Sequence, residues 1–175
     1  MTYGKDLIDA LRNRKIEPAV GDPRDPGATF HLLQHEADDL RFMVRYQTVE
    51  SLGLTLDYLA VRRVRDPRPQ AGEINALLER QADAVKERIT FLLEEFRLIE
   101  LDRQNKRAQL RSYPPFARDD SRFYFEIVLD EGVMAHLQRY QFNRSARRYQ
   151  KVTSQLTLET FERLVDEMVG ILRQD

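Results

Sequence analysis

The sequence predicts an α+β protein: an antiparallel sheet of about seven to eight strands in meander order, two long amphipathic helices packed on it, and a short N-terminal helix. Three observations carry that expectation. Apolar residues alternate with polar ones in short runs bounded by turn formers, two segments show a 3.6-residue apolar period, and sequential strands are joined by connections too short for parallel crossovers.

Thr2 is placed to cap a first helix in which Leu7, Ile8 and Leu11 share one stripe, with Pro18 closing it beyond the basic Arg12 to Lys15 stretch. This gives a short helical segment within residues 1–20. Residues 21–27, Gly-Asp-Pro-Arg-Asp-Pro-Gly, read as a loop. Phe30 and Leu32 open the first strand, Ala37-Asp38-Asp39 turns the chain, and Leu40, Phe42, Val44 and Tyr46 alternate with Arg41, Met43 and Arg45 in the second. Leu52, Leu54, Leu56 and Tyr58 carry the period into a third strand ending among Arg62, Arg63 and Arg65.

Pro67 and Pro69 separate that strand from a helix expected over residues 72–96, whose stripe runs through Ile74, Leu77, Leu78, Val85, Ile89, Leu92 and Phe96. The period then returns to two at Ile99 and Leu101, turns at Gln104-Asn105-Lys106, and resumes at Ala108 and Leu110 before Pro114-Pro115. Phe123, Phe125, Ile127 and Leu129 form the next strand. After the Asp130-Glu131-Gly132 turn, apolar parity is odd at Val133, Ala135 and Leu137 but even at Tyr140 and Phe142, so either a bulge lies near Gln138-Arg139 or the strand ends there, and the bulge is favoured. A last strand around 148–154 leads to Thr157, an N-cap for a helix over 157–173 with Phe161, Leu164, Val165, Met168, Ile171 and Leu172 as its stripe, and with Leu156 and Phe161 set for a hydrophobic staple. The whole reads as one domain, residues 1–175, its sheet spanning 28–156.

With 42% hydrophobic and 33% charged residues, the composition is that of a folded chain and not of a disordered one. The absence of cysteine excludes disulfides, thiolate catalysis and cysteine-based metal centres, and together with the lack of an apolar signal core it leads us to expect a cytoplasmic protein with no membrane association. A formal net charge of −1 gives no global attraction to polyanions, so any electrostatic binding is local.

No recognised catalytic, metal or nucleotide motif occurs, so no catalytic residue, metal ligand or cofactor is assigned. His31 and His35 precede Glu36, but on a strand a four-residue spacing separates side chains by about 13 Å, too far for one zinc ion; they are expected on an exposed face. Asp38-Asp39, Asp119-Asp120 and Asp130-Glu131 fall in turns, where aspartate caps its own backbone. Tyr113-Pro114-Pro115-Phe116 reads as a rigid loop. The local anomaly is charge: no acidic residue lies between Gly132 and Leu158, while Arg139, Arg144, Arg147, Arg148 and Lys151 interleave with Tyr140, Phe142 and Tyr149. These are the candidate contacts for an anion or a partner.

The order helix, three strands, helix, strands, helix is similar in outline to that of type III secretion chaperones, and this resemblance implies a small dimeric protein-binding domain. The first functional expectation is therefore a non-enzymatic interaction module, adaptor or chaperone-like, acting as a homodimer on another protein. A nucleic-acid or anion binder using residues 139–151 comes second, and an enzyme with an unmarked pocket between sheet and helices third.

Overall fold

A computed structural model describes residues 2–13, 20–22, 25–64 and 72–174. The expected closing and separating prolines, Pro18, Pro67 and Pro69, lie outside these. The described chain has three helices, α1 (Tyr3–Asn13), α2 (Ile74–Arg88) and α3 (Leu158–Leu172), and eleven strands: β1 (Val20–Asp22), β2 (Asp25–Ala37), β3 (Leu40–Val49), β4 (Gly53–Arg63), β5 (Glu95–Asp102), β6 (Arg107–Tyr113), β7 (Phe116–Arg118), β8 (Ser121–Asp130), β9 (Met134–Asn143), β10 (Arg148–Val152) and β11 (Ser154–Thr157). The class is α+β, as the periodicity predicts, but the strand count exceeds seven to eight because short segments at the sheet's margins also pair.

Every pairing is antiparallel, in the order β1-β2-β3-β4-β9-β8-β6-β5, with β7 on β8, β10 on β9 and β11 on β4. The sheet is thus two meanders. The first runs β1 to β4; α2 then carries the chain to the far edge, and the second returns from β5 until β9 meets β4. All three helices pack on one face, where Phe42, Val44, Leu59, Val61, Ile127 and Leu137 join Leu78, Val85, Phe161 and Met168 in one hydrophobic cluster. The opposite face carries none of the described helices.

Capping follows the sequence. Lys5 N–H donates to Thr2 Oγ1 at 3.2 Å and Thr160 N–H to Thr157 Oγ1 at 3.1 Å. Leu156 and Phe161 both pack against the core, as the staple requires. The two end helices meet: Gly4 N–H donates to Asp166 Oδ1, and a Cβ at Gly4 would stand 2.3 Å from the Glu162 carbonyl oxygen, so only glycine permits this approach.

Several expectations are corrected. The central helix ends at Arg88, not 96; the β-branched pair Ile89-Thr90 leaves the helix, while Ile89, Leu92 and Phe96 still reach the same core from an extended chain and from β5. Residues 21–27 are not simply a loop, since Gly21 pairs with Thr29 in the β1–β2 hairpin. The 148–154 strand is two strands, split at Thr153. No bulge occurs at Gln138-Arg139: β8 and β9 stay in register from Ser121↔Asn143 to Asp130↔Met134, and the parity change means instead that Tyr140 and Phe142 stand on the helix-free face. Register shifts lie elsewhere, at Asp57 opposite Arg45-Tyr46, at Gln47 opposite Thr55-Leu56, at Ile99 opposite Gln109-Leu110, and between Gly21 and Asp22 in β1. The first leaves the Asp57 carbonyl outside the ladder, where the buried Gln138 Nε2 donates to it at 2.8 Å.

A helix-free aromatic face and an arginine turned inward

The candidate contacts do not form one patch. In β9, alternation sends Tyr140 and Phe142 to the helix-free face and Arg139 to the helix-covered face. On the helix-free side Tyr140 stacks on Tyr124 with ring centroids 5.6 Å apart, and Phe142 meets Tyr149 of β10 at 4.5 Å. His136 lies beside Tyr58 on the same face at 5.6 Å, and burial lowers its pKa. Burial raises the Tyr58 and Tyr140 hydroxyls and pushes Tyr124 up to about 12. These phenols stay protonated donors at physiological pH.

Four arginines on that face are matched by carboxylates, while Arg62, Arg97, Arg122 and Lys151 share the face without an ion pair among the described residues. Arg111 Nε donates to Glu126 Oε2 at 3.1 Å while its guanidinium lies 4.9 Å from the Tyr124 ring centre; Arg107 pairs with Asp130, Arg41 with Glu36, and Arg45 with the buried Asp57. A hollow of about 290 Å³ opens beside them, lined by Ile99, Tyr113, Pro115, Tyr124, Phe142 and Tyr149.

Arg144 and Arg147 occupy the β9–β10 turn, and Arg148 and Lys151 lie exposed on β10. Among the described residues none of these four makes an ion pair within 4 Å. The turn itself is fixed by Asp120, which accepts from the Ser145 N–H at 2.9 Å and from the Ser145 hydroxyl; these bonds hold its carboxyl below the usual range. Asp120 is thus a turn residue, but its carboxylate caps the neighbouring β9–β10 turn and not its own.

Arg139 stands apart from that group. Its guanidinium is half-buried, 4.4 Å from the Phe125 ring centre and 5.8 Å from that of Phe123, and its Nη1 is buried without a hydrogen-bond partner. The carboxylate acting on it is Glu94, whose Oε2 is likewise buried and unpartnered; burial raises the Glu94 pKa while Arg139 opposes the rise. Arg139 lines a cleft of about 600 Å³ between the 91–93 segment, β7 and the start of α3. Sequence reasoning missed this cleft because its wall is assembled from four separate parts of the chain.

His31 and His35 sit on β2, as expected, but half-buried on the helix-covered side, His31 beside Tyr46 at 5.6 Å and His35 beside Phe42 at 6.4 Å; β2 lies near the sheet's margin, where that face is only partly covered. Among the described residues no group of three or more His, Asp or Glu side chains is placed to hold a metal ion. No protein-family profile, curated protein or solved structure matches the chain.

Proposed function

We propose that the protein is a non-enzymatic interaction module that works as a homodimer and offers its helix-free sheet face to protein. The observation that carries this reading is an aromatic face on which four of the arginines are already paired. Tyr and Arg are the residues enriched in protein interfaces, and here four arginines come already matched to carboxylates, which suits a polypeptide surface better than a row of phosphates. Self-association is supported by the far edge of the second meander. Ile99 and Tyr113 are exposed there beside the 290 Å³ hollow, which Tyr149 of β10 lines from its other side, and an open strand edge invites a two-fold copy of itself.

Light scattering coupled to size exclusion tests it. The expected mass is twice the 20.7 kDa chain, falling to one chain in Phe142→Ser/Tyr149→Ser with unchanged far-UV circular dichroism. A monomeric parent protein at about 100 μM, a concentration that populates any dimer tighter than that, would overturn the homodimer.

A second reading rests on the exposed Arg144, Arg147, Arg148 and Lys151 beside the Phe142–Tyr149 pair, a basic hairpin with an aromatic step suited to single-stranded nucleic acid. Fluorescence anisotropy with random RNA at low and moderate salt separates the two readings. Binding that weakens with salt at a log–log slope of about −0.7 per phosphate and disappears in Arg147→Gln/Arg148→Gln would favour the hairpin.

A further inference from the structure

The cleft on the other face has a different chemistry. One side of it is apolar, with Phe91, Leu93, Phe116, Phe125 and Leu156 among the lining residues, and Leu93 and Phe116 remain exposed at 81% and 49%; Thr153, Ser154 and Gln155 make the rest of the wall polar. Among the described residues its charged lining is Arg118 and Arg139, with no carboxylate. Arg139 reaches it from a position that, by alternation along β9, continues the core series Ala135 and Leu137.

A guanidinium at such a position loses hydration, and the faces of Phe123 and Phe125 return only part of it. The half-buried Glu94 balances some of the charge without bonding Nη1. The Arg139 guanidinium thus borders, with donor capacity unspent, a pocket of the size that takes small molecules. The hydroxyls of Thr157 and Thr160, which also line the cleft, are bonded to each other at 2.9 Å, and Thr153, Ser154 and Gln155 are uncharged, so Arg139 and Arg118 are the cationic anchors.

We infer that this cleft binds a monocarboxylic acid with an extended apolar body, its carboxylate on Arg139 and its body against Phe91, Phe116, Phe125 and Leu156. Arg118, at the mouth, adds attraction for the anion. An uncharged alcohol of the same length fills the apolar wall but leaves the guanidinium without its charge-assisted bond.

Isothermal titration of the full chain with decanoate and with decan-1-ol, below micelle formation, tests the inference. The parent protein is expected to favour decanoate by at least about tenfold, the ratio that one charge-assisted hydrogen bond supplies. Arg139→Gln should bring the two ligands to within about twofold by weakening only the acid. Amide shifts in a parallel NMR titration should fall at residues 91–93, 116–125 and 152–160. Equal affinities in the parent protein, or no decanoate binding up to about 1 mM, would overturn the inference. Both readouts use the unsubstituted protein, so the test stands even where Arg139→Gln unfolds.

Discussion

Arg45 and Arg139 stand on strands that flank β4, on opposite faces of one sheet. Arg45, between the Phe30 and Tyr58 rings, meets a carboxylate that has no exposed side-chain surface. Arg139 also lies over two aromatic rings, yet its buried Nη1 has no acceptor. The difference teaches that the same side chain serves two purposes here: one completes the structure by neutralising a buried Asp57, and the other keeps donor capacity in reserve. Stability should therefore depend strongly on the first arginine and weakly on the second.

Arg45→Met is expected to cost about 3 kcal/mol, because Asp57 stays buried and loses its counter-charge. The midpoint of urea unfolding at neutral pH reads this directly. Arg139→Met should change stability by no more than about 1 kcal/mol and in either direction, since an apolar side chain of similar length suits a wall of phenylalanines and removes a desolvated charge. A loss at Arg139 as large as that at Arg45 would break the contrast and make Arg139 structural.

Glu94 sharpens it through pH. Its folded pKa is raised, so the folded state binds a proton more tightly than the unfolded chain, and stability falls as pH climbs from an unfolded value near about 4.3 through the raised folded value. Glu94→Gln should leave stability unchanged near pH 4 and raise it at pH 7 by less than about 1 kcal/mol, the group being partly solvated. In Arg139→Met the opposing cation is gone, and the pH dependence of unfolding between these limits should steepen. The smallest expected effect concerns His31 and His35: two strand histidines alternating with Leu33 should give no stoichiometric zinc binding at neutral pH. A one-to-one site lost in His31→Ala and His35→Ala would show that β2 rearranges.

The caps and stripes of α1 and α3 were legible because they are local: Thr2 and Thr157 need only the next turn of chain to act. The end of α2 was not. Ile89, Leu92 and Phe96 keep the helical spacing because one core receives them, whichever backbone delivers them. Parity shifts from Leu54 and Leu56 to Leu59 and Val61, and from Leu98 to Leu101, mark the bulges at Asp57 and Ile99; Tyr58 and Ile99 mask them by continuing the period with residues of the other face. At Tyr140 the reverse happened, since both faces of β9 carry apolar side chains and a change of face imitates a bulge. The basic stretch was visible as composition, but its division between two faces depends on register with β8, which no local spacing encodes. Glu94 and Phe116, distant in sequence from Arg139, gave no signal at all.

The docking of α1 on α3 also sets an order of events during synthesis. Leu7, Ile8 and Leu11 precede α3 in synthesis, and Gly4 finds Asp166 only after some 160 further residues have been added. At ribosomal speeds of roughly 5–20 residues per second α1 waits about ten seconds or more for that partner, with β2 and β3 as its earlier contacts. In that interval it is an amphipathic segment short enough to stay largely unfolded and is open to a holding chaperone; α3 is the helix that releases it.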